Sequence, residues 1–205
     1  MNLGSSGEAR LKERFREATR LALLDAAEAA FASHGLEGAR VDDIAAVAGV
    51  SVGTLYNHFG DRRQLLEALL EGRRQELVAR IDEELREGEE VPFARLLERF
   101  VRTLLGHFDA HRALFQLLME EEASHSRSRK RKTSMLRDLV LRAEQLVARG
   151  LSEGALREKD AEHFPVLLVS LVRGMLASGQ VARVRGPVEE VAPVILQLFL
   201  QGARR

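Results

Sequence analysis

Apolar residues recur every three to four positions along nearly the whole chain, and the strict alternation of a half-buried strand is nowhere visible. Leu11, Phe15, Ala22, Leu23, Ala26, Ala27, Ala30 and Phe31 draw one helical stripe. His34 and Gly35 should end it, with glycine in the left-handed cap and histidine near the negative end of the helix dipole. Leu65, Leu66, Leu69, Leu70, Leu77, Val78 and Ile81 predict a long helix over about 62–86. Residues 88–92 read as a break. Helical spacing resumes over 93–108 (Leu96, Leu97, Phe100, Val101, Leu104, Leu105), 110–123 (Leu114, Phe115, Leu117, Leu118) and 135–151 (Leu136, Leu139, Val140, Leu146, Val147). Gly150, Ser152 and Gly154 break that last stripe. Two stretches, 166–176 and 188–200, are the most apolar, and Pro193 predicts a kink or restart in the second. The fold class is all-α.

The stretch 41–66 differs from the others. It reads as two short helices about a tight turn, followed by the start of a third. Ile44 and Ala45 supply the inner face of the first, and the small Ala45 permits a close crossing. Gly49 supplies the turn, where a positive φ is cheap only for glycine. Val50 and Leu55 fill the angle, Ser51 is placed to cap the second helix, and Phe59 closes it. This is the spacing of a helix-turn-helix, whose second helix enters a DNA major groove. A plain structural corner has the same skeleton. The surface left over argues against it: Val52, Gly53, Thr54, Tyr56, Asn57 and His58 face outward, and their polar members can reach phosphates or base edges.

The LLDAAEAAFASHG helix, VDDIAAVAGVS and GTLYNHFGDRRQLL together resemble the N-terminal domain of the TetR family of bacterial transcriptional regulators. The likeness runs contiguously over residues 16–70, about a quarter of the chain, and the remainder has only the length and helical character of that family's variable domain. The resemblance implies an N-terminal three-helix DNA-binding domain (16–76, motif at about 41–59) and a C-terminal helical effector-binding and dimerisation domain (77–205). A flexible segment (1–15) would precede them. It also implies roles: Ser51, Val52, Gly53 and Thr54 at the groove, and Tyr56 and His58 on phosphates. Arg62 stands where the family usually carries a lysine. Two positions depart from the pattern. Arg40 replaces a usual capping Thr or Ser, which leaves Asp42 or Asp43 to serve that helix end electrostatically. Asn57 replaces a frequent aromatic.

Charge tempers the picture. The formal net charge is zero, and residues 1–63 hold eight Lys/Arg against nine Asp/Glu. DNA affinity must then come from local placement of groups. Residues 8–20 alternate in sign, as a solvated helix face or a phosphate-touching arm would. The basic run at 127–132 reads as a solvated loop or helix start, with an anion site as the sharper alternative. Cysteine is absent, which removes disulfides and thiolate metal sites. No apolar run is long enough to span a bilayer, and the cytoplasm is the expected location.

No GxSxG, P-loop, GxGxxG or HExxH motif is present, so no enzyme and no cofactor are expected. His107 and His111 stand at i, i+4, with Asp109 between them. They can begin a metal site, but no third ligand is tied to them by spacing, and a buried polar pair or surface histidines is the reading adopted. Phe100, Leu104, Phe108, Phe115, Met119 and Phe164 would line a cavity for a small apolar effector or fill a core, and core is the commoner fate of such residues. Arg102 and Arg173 should meet solvent or a nearby carboxylate. Val166, Leu171, Met175, Val194, Leu198 and Phe199 are assigned to a homodimer interface, because a four-helix bundle between two subunits would bury both apolar stripes. The expected protein is a homodimeric repressor. It would be released by its effector from a near-palindromic double-stranded operator whose half-sites lie about 34–36 Å apart. An effector-free activator or architectural DNA binder is one rival, and a helical carrier with a vestigial motif is another.

Overall fold

The computed structural model describes residues 3–87, 90–115, 129–181 and 187–203. Its elements are α1 (Leu3–Gly38), α2 (Val41–Val47), α3 (Val52–Phe59), α4 (Arg62–Glu87), α5 (Phe93–Ala110) and α6 (Arg129–Ser152). A 3-10 turn (Ala161–His163) then leads to α7 (Phe164–Val181) and α8 (Val188–Ala203). No strand occurs among the described residues, and the all-α class holds.

The chain forms two compact units. The first comprises Met1–Arg73 with Ala113–Ala123, and the second Arg74–Arg112 with Ser124–Arg205. Leu114, from the Ala113–Ala123 stretch, is buried in the first unit's core. That core is made by Leu23, Ala27 and Phe31 of α1, Ile44 and Ala45 of α2, Leu55 and Phe59 of α3, and Leu65 and Leu69 of α4. Arg73 ties α4 back to α1, donating to Glu28 and Asp25 at 2.8 Å each.

Helix α1 corrects two expectations. It starts at Leu3, so the segment foreseen as flexible is helical from that residue on. The alternating charges of 8–20 favour this, as the Lys12–Glu8 pair at 2.9 Å illustrates. Burial begins only at Leu23, and Leu11 and Phe15 are exposed. Gly35 (φ 72°, ψ 173°) breaks the helical path where a stop was expected, although helical turns continue to Gly38.

In the second unit, Leu77 and Ile81 of α4 join Leu97, Phe100, Val101 and Leu104 of α5, Leu146 of α6, Leu168 and Val172 of α7, and Ile195 and Phe199 of α8. Polar clasps hold α4 within it. Arg142 donates to Asp82 at 2.7 Å, Arg74 pairs with Asp138, and the Thr103 hydroxyl donates to Glu84 at 2.6 Å. The break expected after the 135–151 stripe comes at Ser152–Gly154 (Gly154 φ 69°), while Gly150 and Pro193 lie inside continuous helices. Helix α6 continues through Gly150 to Ser152, because Gly150 leaves room for Leu156 and Phe93 against its backbone. Helix α8 runs through Pro193, whose missing N–H costs a single bond one turn inside the helix.

Candidate nucleic-acid interface

Helix α3 is short, and its two ends are fixed by specific residues. Ser51 is its N-cap: the Thr54 N–H donates to Ser51 Oγ at 3.1 Å, and the two hydroxyls lie 2.9 Å apart. At the other end Gly60 takes φ 70°, and its N–H donates to the Tyr56 carbonyl. Asp61 then starts α4 by accepting from the Gln64 N–H at 2.7 Å. Gly49, also at φ 70°, makes the turn between α2 and α3.

The side chains divide by helical period. Leu55 and Phe59 are buried in the first unit's core, with Val50 and Val52 packed at its edge. Ser51, Gly53, Tyr56 and Asn57 are exposed, and Thr54 and His58 are half-buried at the surface. Of the outward set anticipated from sequence, Gly53, Thr54, Tyr56, Asn57 and His58 reach the surface of α3, whereas Val52 packs at the edge of the core. This face carries the Ser51 and Thr54 hydroxyls at the N-terminal end of α3, where the dipole favours phosphate, and phenol, amide and imidazole groups toward its C-terminal end.

Two arginines behave differently from that set. Arg40 is the residue before α2, makes no side-chain cap and lies 3.8 Å from Asp42 in the open. Asp42 and Asp43 do occupy the first turn of α2. Arg62 is drawn back toward α1: its guanidinium stacks 5.9 Å from the centre of the Phe31 ring and donates to the Glu37 carbonyl at 3.5 Å. The sequence placed Arg62 among the DNA contacts, but in the structure it braces α4 against α1.

Residues 23–69 match the family model of the bacterial regulatory proteins, tetR family. The chain is 31% identical over 105 residues to the HTH-type transcriptional repressor SCO4008 of Streptomyces coelicolor, a match covering 51% of this chain and 50% of that protein. Its fold superposes on SmeT, in a SmeT–triclosan complex, with a TM-score of 0.75 at 24% identity over 92% of both chains. Residues 23–69 are thus a TetR-family N-terminal domain. The chain is also 42% identical to the HTH-type transcriptional regulator TtgR of Pseudomonas putida, over 62 residues that make up 30% of this chain and 29% of TtgR. The chain thus spans about half the length of SCO4008, and less of TtgR.

The residues expected around an effector are only partly assembled. Phe100, Leu104 and Phe164 are fully buried in the second core, and Phe108 packs against its edge. Phe115 belongs to the first unit instead, and Met119 lies outside the described residues. An open hollow of about 330 Å³ on the second unit is lined by Val91, Arg95, Glu98, Arg99 and Arg102, none of them aromatic. Within it Arg102 donates to Glu98 at 3.0 Å.

The assigned interface residues also separate. Val166 and Val194 are 50% and 47% exposed, Leu198 is 55% exposed, and Leu171 and Met175 are half-buried. Phe199 is not on that face. It is buried, edge-on to Phe164 with ring centres 6.1 Å apart. Leu167, 52% exposed, takes its place. The basic run 127–132 falls partly outside the described residues, with α6 beginning at Arg129.

Proposed function

We propose that this chain is a homodimeric transcriptional repressor that binds a near-palindromic operator through α3 and leaves it when a small molecule binds the second unit. The observation that carries the DNA reading is the division of α3 into a buried Leu55/Phe59 edge and an exposed polar face. Ser51, Gly53, Thr54, Tyr56, Asn57 and His58 form that face. Tyr56 and His58 are assigned to phosphates, and the capped N-terminal end with Val52 to the base edges. Arg40, exposed before α2 and 3.8 Å from Asp42, is a further cation of the sequence-assigned set.

Dimerisation is supported by the exposed apolar side chains of α7 and α8: Val166, Leu167, Val194 and Leu198 stand open on helices whose other faces fill a core. A twofold pairing of these helices would cover them and set two α3 helices on successive turns of a duplex. SCO4008 is a transcriptional repressor, and SmeT is known in complex with triclosan. Helix α4 contributes residues to both units and is the natural carrier of the response. Linkage then requires the effector and DNA to weaken each other equally.

The test is retention on DNA flanking the chain's own gene, at several salt concentrations. Sequence-specific, salt-sensitive binding is expected, weakened by Thr54→Ala combined with Tyr56→Phe. Binding that ignores sequence, or survives that double change undiminished, refutes the reading. Operator affinity identical at every concentration of every effector that binds refutes the release mechanism.

A further inference from the structure

We propose that Glu76, His107 and His111 form a binding site for a divalent transition metal with the preferences of zinc. The three donors come from two helices of the second unit, Glu76 from α4, His107 from α5 and His111 from the residue that ends α5. One ligand atom from each lies within 4.8 Å of the other two, and His111 Nε2 stands 4.0 Å from a Glu76 carboxylate oxygen. The imidazoles sit one helical turn apart with ring centres 4.7 Å from each other, inclined at 57°. They are not stacked face to face, so their nitrogens are able to address one centre.

The donor set selects the ion. Two imidazole nitrogens and one carboxylate oxygen suit zinc, cobalt, nickel or copper, whereas calcium and magnesium demand all-oxygen shells. Zinc at about 2.0–2.2 Å from each donor in a tetrahedron puts donors about 3.3–3.5 Å apart. The cluster must therefore close by little more than an ångström. Glu76 is half exposed, and His111 sits at the helix end with φ −108°, ψ 26°, outside the rigid helical path. His107, by contrast, is buried and fixes the inner corner of the site. Three protein ligands leave a fourth position for water or for an anionic group of a small molecule. An ion held here would cross-link α4 to α5.

The full-length protein, freed of affinity tag and stripped with chelator, is titrated with Zn²⁺ by calorimetry and with Co²⁺ by visible absorption. One ion per subunit is expected, with the intense visible bands of four-coordinate cobalt. Glu76→Gln and His111→Gln should each weaken Zn²⁺ binding at least tenfold while leaving the helical circular dichroism unchanged. His163→Gln, at an exposed histidine next to Glu162, should leave binding as it was. Wild-type affinity no greater than that of the Glu76→Gln/His111→Gln double variant overturns the proposal and leaves a plain carboxylate–imidazole pair. Equal affinity for Ca²⁺ overturns it as well. The readout is metal binding itself, so it stands or falls separately from the DNA reading.

Discussion

Ser51 performs two separable tasks, and paired substitutions pull them apart. Its Oγ accepts the Thr54 N–H at 3.1 Å and so satisfies one of the open donors at the start of α3. Ser51→Ala removes that acceptor, and an N-cap loss costs about 1 kcal/mol. For a chain of this size that lowers Tm by about 2–4 °C. Ser51→Asp keeps a capping oxygen and adds a negative charge where the helix dipole welcomes one, so Tm should hold or rise. The same charge would then stand among phosphates. Two like charges about 6 Å apart repel by about 0.7 kcal/mol in bulk water and about 2.8 kcal/mol at an effective dielectric of 20. Operator affinity should accordingly fall between about threefold and a hundredfold. Fluorescence anisotropy with a labelled operator, beside thermal melts of both variants, measures the pair. The expected result is a crossed pattern: Ala loses stability and keeps most affinity, while Asp keeps stability and loses affinity. A Ser51→Asp protein that binds the operator like wild type would show that the start of α3 does not approach DNA.

Other outcomes follow from packing and charge. Glu153 accepts from Arg149 Nε at 2.5 Å and from the Phe93 N–H at 2.9 Å, at the first turn of α5; the Arg149 bond first and the Phe93 bond next hold its carboxyl below the ordinary range. A depressed carboxylate stabilises the fold above its unfolded pKa and loses that effect as pH falls through the folded one. Glu153→Gln should therefore lower Tm at pH 7 and match wild type in strong acid; a gap that persists in strong acid would contradict this. Gly150→Ala gains about 1 kcal/mol of helix propensity, yet its Cβ would meet Leu156 at 2.7 Å and Phe93 at 2.9 Å, so net destabilisation of about 1–2 kcal/mol is expected in urea melts. Leu167→Glu with Leu198→Glu should yield monomers by light scattering with the helical signal intact, and an unchanged dimer would move the interface elsewhere.

What the sequence revealed followed the range of its signals. The helix-turn-helix was legible to the residue because cap, turn glycine and inward positions all lie within a few residues of one another. Inner and outer faces were harder where a helix is apolar all round. Leu198 and Phe199 are neighbours pointing about a third of a turn apart, and only the packed structure shows that the aromatic ring meets Phe164 while the leucine stands open. The same ambiguity put Leu11 and Phe15 on a buried stripe that begins later, at Leu23. Phe115 followed its helical spacing toward an effector set but belongs with the first unit. Glu76 carried no sequence signal at all, since its relation to His107 and His111 exists only when α4 and α5 are side by side. The contact of Arg62 with Phe31 had no sequence signal for the same reason, since that ring belongs to a helix distant in sequence.

Helix α3 spells two messages in alternating letters. Leu55 and Phe59 write the part that folding requires, and Gly53, Tyr56 and Asn57 lie on the opposite side, where little of the interior would notice a change. A library randomised at those three outward letters should yield many stable proteins that differ in the sequences they select. Regulators could thus be retargeted one position at a time, each intermediate remaining a soundly folded molecule.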